Sequence, residues 1–297
     1  MASSRYQNLD ALKDHEEIVK WMVVDTWKFD LVRATEIALL KTFAFPEISK
    51  ILVDSGEFLS RSQKRYDDTD LLLSLFIENG YSSAPGMKAI QKINRMHAAH
   101  PITNHQMLYV LSTFVVEPIV WINQYGWRQM DEKERQSLFY FWIEVGKRMG
   151  IKDLFLSLDE MLAYHESYEK ERMIYSVNNA KLFQGMTPFI AGMMPFPVGY
   201  LTQWALPAIM SSRLCRAFGV EPRSILMRQF FRLLLRFRGH VARLLPTRPQ
   251  FRSKMHRKTY PDGFTIPELG VTPSRGQARA LTNTSKSPTE RAALVTE

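Results

Sequence analysis

The chain has 297 residues, enough for one large hydrophobic core or two ordinary domains. Apolar residues make up 45% of it and aromatic residues 12%, which is typical of a folded protein. The net charge is +9, and the single cysteine, Cys215, excludes an internal disulfide and a cysteine-based zinc site and suits a reducing compartment.

Helical periodicity dominates the chain before Pro188, where apolar residues recur every three or four positions with little strict alternation. Gly, Pro and capping residues mark the ends of these segments. The first predicted helices are Phe29–Phe45, a segment that Pro46 opens and Gly56 closes, and Ser60–Ile77. The next helix is capped by Ser82 or Ser83 and stopped by Pro101, and the one after it is capped by Thr103 and ended by Gly126. Two more helices begin at Asp131 and at Asp153 or Ser157. Short linkers between amphipathic helices predict an all-α fold, a single large helical bundle domain.

Arg65 and Thr69 are four positions apart on one predicted helix, so they share a face. A guanidinium there could hold a carboxylate or propionate, and the hydroxyl could hydrogen-bond a polar ligand atom. The competing interpretation is a solvated helix face, which the acidic residues close by would favour: Asp67, Asp68 and Asp70.

Three of the seven histidines, His97, His100 and His105, fall within nine residues. A neutral imidazole of His97 could be an axial ligand of heme iron, or the residue could be purely structural. The three together could instead hold a non-heme metal. Against this, His100 precedes Pro101, which disfavours helical geometry there, and no carboxylate completes the set.

Residues 182–212 carry no charge, but four prolines and three glycines interrupt them, which predicts broken apolar helices rather than one membrane span. A basic helix follows, with Arg228, Arg232 and Arg236 four apart among Leu and Phe side chains. Two interpretations stay open for it: contact with an anionic membrane surface, or a packed helix with a solvated arginine face. No nucleic-acid motif accompanies the charge, so nucleic acid is not an expected partner.

The positive charge lies toward the C-terminus, because residues 222–261 contain eleven Lys or Arg and no Asp or Glu. The expected organisation is a lead segment over 1–25, a helical catalytic domain over 26–246, and a basic, largely disordered tail over 247–297. The N-terminus has no apolar core of a signal peptide, so we expect an intracellular protein that is not secreted.

The order of the segments "FDLVRATEIALLKTFAFPEISKILV", "KRYDDTDLLLSLF", "KAIQKINRMH" and "LYVLSTFVVEPIVWINQYGWR" followed by "FWIEVGKRMGI" resembles the MpaB and rubber-oxygenase (latex-clearing protein) catalytic family. The likeness is closest to the fungal MpaB branch and best over residues 29–151. It implies an all-helical protein with a pocket for non-covalent heme b. It also implies an oxygenase that uses dioxygen to cleave a carbon–carbon double bond in an apolar, isoprenoid substrate of secondary metabolism.

By that resemblance His97 is the axial ligand of the heme iron, and Arg65 and Thr69 are the cofactor-binding and catalytic residues of the family's Arg-x-x-x-Thr helix. Asp68 stands where some rubber-cleaving members have a lysine. The fungal members imply the endoplasmic reticulum, where residues 182–246 would make peripheral membrane contact. The alternatives are a non-enzymatic membrane-associated protein and a non-heme metal enzyme using His97, His100 and His105.

Overall fold

The computed structural model describes residues 5–192, 198–244 and 248–270. Within these ranges it has thirteen α-helices, one π-helical turn at Met22–Thr26, two short 3₁₀ turns and no strand, which confirms the predicted all-α domain. The helices are α1 His15–Trp21, α2 Lys28–Thr42, α3 Pro46–Ser55, α4 Glu57–Ser60, α5 Ser62–Asn79, α6 Ala84–His97, α7 Asn104–Tyr125, α8 Glu132–Arg148, α9 Leu158–Arg172, α10 Val177–Gly192, α11 Val198–Ile209, α12 Ser212–Ala217 and α13 Ile225–Leu244.

The predicted helix boundaries agree with the capping groups. Ser83 accepts a hydrogen bond from the Gly86 backbone amide at the start of α6, and Thr103 and Asp131 each form a capping box that opens the next helix. Gly56 ends α3 with φ +68°, a left-handed conformation that a residue with a Cβ atom adopts only at a cost. These local signals define the edges of the helices that carry the candidate site.

Helix α7 is the centre of the domain and packs against α2, α8, α9 and α13. By length and composition it could cross a membrane, as no other helix in the described ranges could, but 78% of its apolar window is buried inside the protein. Since its neighbours already cover it, α7 is a core helix. Phe114 of α7 stacks on Trp142 of α8, and Trp142 in turn contacts the rings of Phe76 and Phe141.

The uncharged segment forms two helices, α10 and α11, as the prolines predict. Pro188 lies inside α10 and Pro207 inside α11, while residues 193–197 fall outside the described ranges. Leu182 and Leu206 are buried in a second hydrophobic cluster with α12, so this segment belongs to the core for much of its length.

Helix α13 packs against α7 and α11, and two of its arginines, Arg228 and Arg238, reach the domain. Arg228 Nη1 donates to Ser212 Oγ at 2.9 Å, and Arg238 Nη2 pairs with Asp30 Oδ1 at 2.6 Å. Most of its exposed residues are instead apolar, with Gln229, His240 and Arg243 as the exposed polar ones. The interpretation of α13 as a packed helix with a solvated arginine face is therefore wrong, because the apolar face is the one that meets solvent. That face comprises Ile225, Leu226, Phe230, Leu233, Leu234, Phe237, Val241 and Leu244.

Residues 248–270, which the sequence assigns to the tail, pack onto α5 and α6. Leu269 is fully buried, Arg252 Nε pairs with Asp70 Oδ1 at 2.8 Å, and Arg257 also contacts Asp70. The expected disorder therefore does not extend to this C-terminal segment. The rest of the predicted tail, 271–297, lies outside the described residues.

Candidate functional site

Helices α5 and α6 pack together and enclose, with α7 and α8, an apolar cavity of about 140 Å³. Arg65 and Thr69 from α5 and His97 from the end of α6 all line it. Leucine, isoleucine, valine, methionine, phenylalanine and tryptophan side chains form the rest of the wall. The three residues that the sequence marks as a candidate site thus line one cavity. Among the described lining residues, Arg65 is the one that carries a charge.

His97 offers this cavity a neutral imidazole. Its Nδ1 atom is buried and has no hydrogen-bond partner among the described residues. Burial, together with the positive charges of Arg65 and His100, lowers the pKa of His97 to about 4. The ring is therefore neutral near pH 7, with a free nitrogen lone pair, which is the form in which histidine binds metals.

Arg65 brings to the same cavity a positive charge that forms no ion pair with the described residues. In the part of the chain that the structure describes, its guanidinium makes no hydrogen bond or ion pair, and it lies 5.2 Å from the Phe58 ring centroid. Burial lowers the pKa of Arg65, although Asp68 and Glu57 act in the opposite direction. Thr69 Oγ1 donates to the Arg65 carbonyl at 2.8 Å, so the hydroxyl oxygen is left as an acceptor.

The acidic residues beside Arg65 point elsewhere. Asp67 and Asp68 are buried, and both bind the C-terminal segment: Thr259 Oγ1 donates to Asp67 at 2.6 Å, and Tyr260 donates to Asp68. The interpretation of this helix side as a solvated face is therefore wrong. Asp68 lies outside the cavity lining, so the position that holds lysine in some rubber-cleaving proteins contributes no group to the cavity.

His100 and His105 do not join His97. Both are exposed, and among the described residues one group of three has its ligand atoms within 4.8 Å of one another, and it contains neither of them. The predicted alternative of a metal site on His97, His100 and His105 is therefore wrong. Ala98 and Ala99 leave the helix and Pro101 follows, so the chain turns away before His105.

The group that does converge is Glu117, His165 and Glu169, which the sequence did not reveal. Lys41 lies among them, with its Nζ 2.6 Å from Glu117 Oε1 and 2.7 Å from Glu169 Oε1. Burial would raise the pKa of Glu169, but His165 and Lys41 lower it to about 2. Burial would lower the pKa of His165, but the two glutamates raise it.

The Lys41 ammonium therefore pairs with both carboxylates and fills the role that a bound cation would have there, and His165 Nε2 lies 3.0 Å from Glu169 Oε1. Two sequence signals could have revealed this cluster. Glu117 is the one charged residue in the apolar run "LYVLSTFVVEPIVWIN", and His165 and Glu169 are one helical turn apart on α9.

Comparison with known proteins supports the resemblance seen in the sequence. The profile of a family described as "ER-bound oxygenase mpaB/B'/Rubber oxygenase, catalytic domain" matches residues 21–239. The chain belongs to this family. All three cavity residues, Arg65, Thr69 and His97, lie within the matched range.

Two fungal relatives illustrate the likeness to the MpaB branch. The chain is 27% identical to the ER-bound oxygenase mpaB of Penicillium roqueforti (strain FM164) over 192 residues, which is 58% of this chain and 64% of that protein. It is 27% identical to the ER-bound oxygenase mpaB' of Penicillium brevicompactum over 255 residues, 78% of this chain and 59% of that protein. The chain therefore matches less than two thirds of the length of these MpaB relatives.

Proposed function

We propose that this protein is a heme b-dependent oxygenase that uses dioxygen to cleave a carbon–carbon double bond in an apolar, isoprenoid substrate of secondary metabolism. One observation carries the proposal: Arg65, Thr69 and His97, the residues that the family resemblance assigns to a heme site, line the same cavity. The relatives described above are named oxygenases, which supports the class of reaction.

The chemistry of the cavity fits a heme group. His97 has a buried ring nitrogen without a partner, which an iron ion would satisfy. The Arg65 guanidinium makes no hydrogen bond or ion pair with the residues that the structure describes, and a heme propionate would neutralise it through charge-assisted hydrogen bonds. The apolar wall suits a porphyrin face. Each unsatisfied group of the cavity thus corresponds to a part of the cofactor.

When bound, heme b would supply the iron that binds and activates dioxygen. His97 would hold the iron through its neutral imidazole, which the low pKa keeps unprotonated near pH 7. Arg65 would fix a propionate, and the Thr69 hydroxyl oxygen would accept a hydrogen bond beside the reacting atoms. The walls, including Phe114 and Trp142, would exclude water from them.

An apolar substrate follows from the charge of the wall. Among the described residues, Arg65, which the propionate would occupy, is the one charged side chain that lines the cavity. A charged substrate would lose its hydration there without gaining a partner, at a cost of several kcal/mol. An isoprenoid chain has no charge whose hydration would be lost on entering the cavity, and it presents the double bond that the reaction requires. We place the protein inside the cell at the endoplasmic reticulum, as the relatives' names suggest.

The test is an absorption spectrum of the full chain, purified after expression with added heme precursor, beside a pyridine extract. We expect a Soret band and near-stoichiometric b-type heme in the wild type and in His100→Ala, the exposed neighbour, but not in His97→Ala. A colourless wild-type protein that does not take up added hemin would overturn the proposal. Wild-type heme content in His97→Ala would overturn the ligand assignment.

A further inference from the structure

Helix α13 turns a continuous apolar face away from the protein. Leu226 is 83% exposed, Leu233 66% and Phe237 67%, and all lie on one side of the helix with Phe230 and Val241. Successive members of this set are three or four positions apart, so their side chains form one stripe along a helix of twenty residues. Soluble surfaces rarely leave so many large apolar side chains together in water.

Contacts on the opposite side fix this orientation. Gly239 is buried, and a Cβ atom there would lie 3.2 Å from the Trp127 amide nitrogen, so the backbone of α13 approaches the domain closely at this point. Arg238 holds the buried carboxylate of Asp30 at 2.6 Å. Rotating α13 so that the apolar stripe faced the domain would break this ion pair. It would also place larger side chains at the close approach that Gly239 now occupies.

Arginines without acidic partners lie beside the apolar stripe. Arg232 and Arg236 are half-buried and make no ion pair or hydrogen bond within the described ranges, and Arg228 donates only to the neutral Ser212. No acidic residue occurs between positions 222 and 261 to compensate them. The face of α13 therefore combines apolar area with uncompensated positive charge at its edges.

We propose that the outward face of α13 inserts into the interfacial region of a membrane that contains anionic lipids. The leucine and phenylalanine side chains enter the boundary of the acyl chains, while Arg232 and Arg236 meet the lipid phosphates. Charge complementarity favours this occupant over a second copy of the chain. A two-fold contact through the same face would bring two rows of unpaired arginines together.

The neighbouring helix α11 also carries exposed large side chains. It contacts α13 and exposes Tyr200 and Leu201, at 71% and 53%. Tyrosine is a side chain that membrane interfaces favour, because its ring is apolar and its hydroxyl is polar. The inference depends neither on heme nor on oxygenase activity, so the two proposals fail or succeed separately.

The test is co-sedimentation of the full chain with vesicles of phosphatidylcholine mixed with phosphatidylserine, and with vesicles of phosphatidylcholine alone. We expect strong binding to the mixed vesicles and much weaker binding to the neutral ones. Leu233→Glu/Phe237→Glu should weaken binding at least about tenfold, since two side chains leave the acyl boundary. The matched control is Leu156→Glu, which changes an apolar side chain that is 92% exposed outside this surface.

A second variant tests the charge. Each arginine beside an anionic surface contributes roughly fivefold in affinity, so Arg232→Gln/Arg236→Gln should weaken binding to the mixed vesicles about 30-fold and leave binding to neutral vesicles unchanged. Unchanged thermal midpoints would show that the variants are folded. The proposal is overturned if the wild type stays in the supernatant, or if light scattering shows a dimer that Leu233→Glu/Phe237→Glu dissociates.

Discussion

The ammonium group of Lys64 on α5 lies 2.8 Å from the phenol oxygen of Tyr260, although the two residues are 196 positions apart. The same ammonium pairs with Asp68 and donates to the Gly270 carbonyl, and Lys92 on α6 donates to the Pro267 carbonyl at 3.0 Å. The C-terminal segment thus ties together α5 and α6, the helices that carry Arg65 and His97.

Removing the hydroxyl group of Tyr260 tests whether these contacts stabilise the protein. Tyr260→Phe leaves Lys64 and Asp68 paired but removes two hydrogen bonds to charged groups, so we expect the free energy of unfolding to fall by about 2 kcal/mol. Urea denaturation measures it, with Tyr175→Phe, a change at an exposed tyrosine, as the control. Equal urea midpoints for Tyr260→Phe and the wild type would show that the Tyr260 hydroxyl does not stabilise the packing of the C-terminal segment on α5 and α6.

Lys41→Met tests the buried ionic cluster. Without the ammonium, the buried carboxylates of Glu117 and Glu169 lose the cation that pairs with both of them, so the free energy of unfolding should fall by about 3–5 kcal/mol. Thermal and urea denaturation measure the loss. Lys50→Met, which breaks an exposed pair with Asp54, should cost less than about 1 kcal/mol.

A double variant distinguishes lost charge balance from lost packing. Lys41→Met/Glu117→Gln removes one carboxylate as well as the ammonium, so it should be more stable than Lys41→Met alone. If both proteins unfold at the same urea concentration, the cluster is held by packing and not by charge balance.

The heme-free protein should lose stability as pH falls from 6.5 to 4 because of His97. Its pKa is about 4 in the folded state against 6.5 for an ordinary histidine, so in this window the unfolded chain binds a proton that the folded chain does not. His97→Gln removes that difference and should flatten the dependence. The measurement is the free energy of unfolding in urea at several pH values. Parallel curves for the two proteins would contradict the low pKa.

Arg65→Met should leave the heme-free protein equally stable or more stable by up to about 1 kcal/mol. Arg65 is half-buried and its guanidinium makes no ion pair in the described part of the chain, so replacing it with an apolar side chain removes a desolvation penalty. The same variant should bind hemin more weakly, because a propionate loses its counter-ion. Arg61→Met, at an exposed residue of the same region, is the control. A destabilised Arg65→Met protein with unchanged hemin affinity would assign Arg65 a structural role.

The sequence predicted what depends on local chemistry. Gly56, Ser83, Thr103 and Asp131 marked helix ends correctly, because capping is decided within four residues. The segment order predicted the family, which the profile match confirms. The pattern also singled out three residues that turned out to line one cavity.

Contacts between distant residues were beyond such reasoning. Nothing around Asp68 indicates that Tyr260 will bury it, and nothing around Lys41 indicates two glutamates from α7 and α9. The orientation of α13 also escaped prediction, because periodicity separates an apolar face from a basic one without saying which is covered. Asp30 and the close approach at Gly239 decide that, and both are tertiary contacts.

The tie between Lys64 and Tyr260 also sets an order of events during synthesis. Ribosomes add about 5–20 residues per second, so Tyr260 emerges roughly 10–40 s after Lys64, given their separation of 196 residues. Helices α5 and α6 can form and pair early, but the hydrogen bonds from the C-terminal segment form only after residues 260–270 have been synthesised. A ribosome that stalls before residue 248 leaves a nascent chain in which α5 and α6 have only their direct contact with each other, without the hydrogen bonds from residues 248–270.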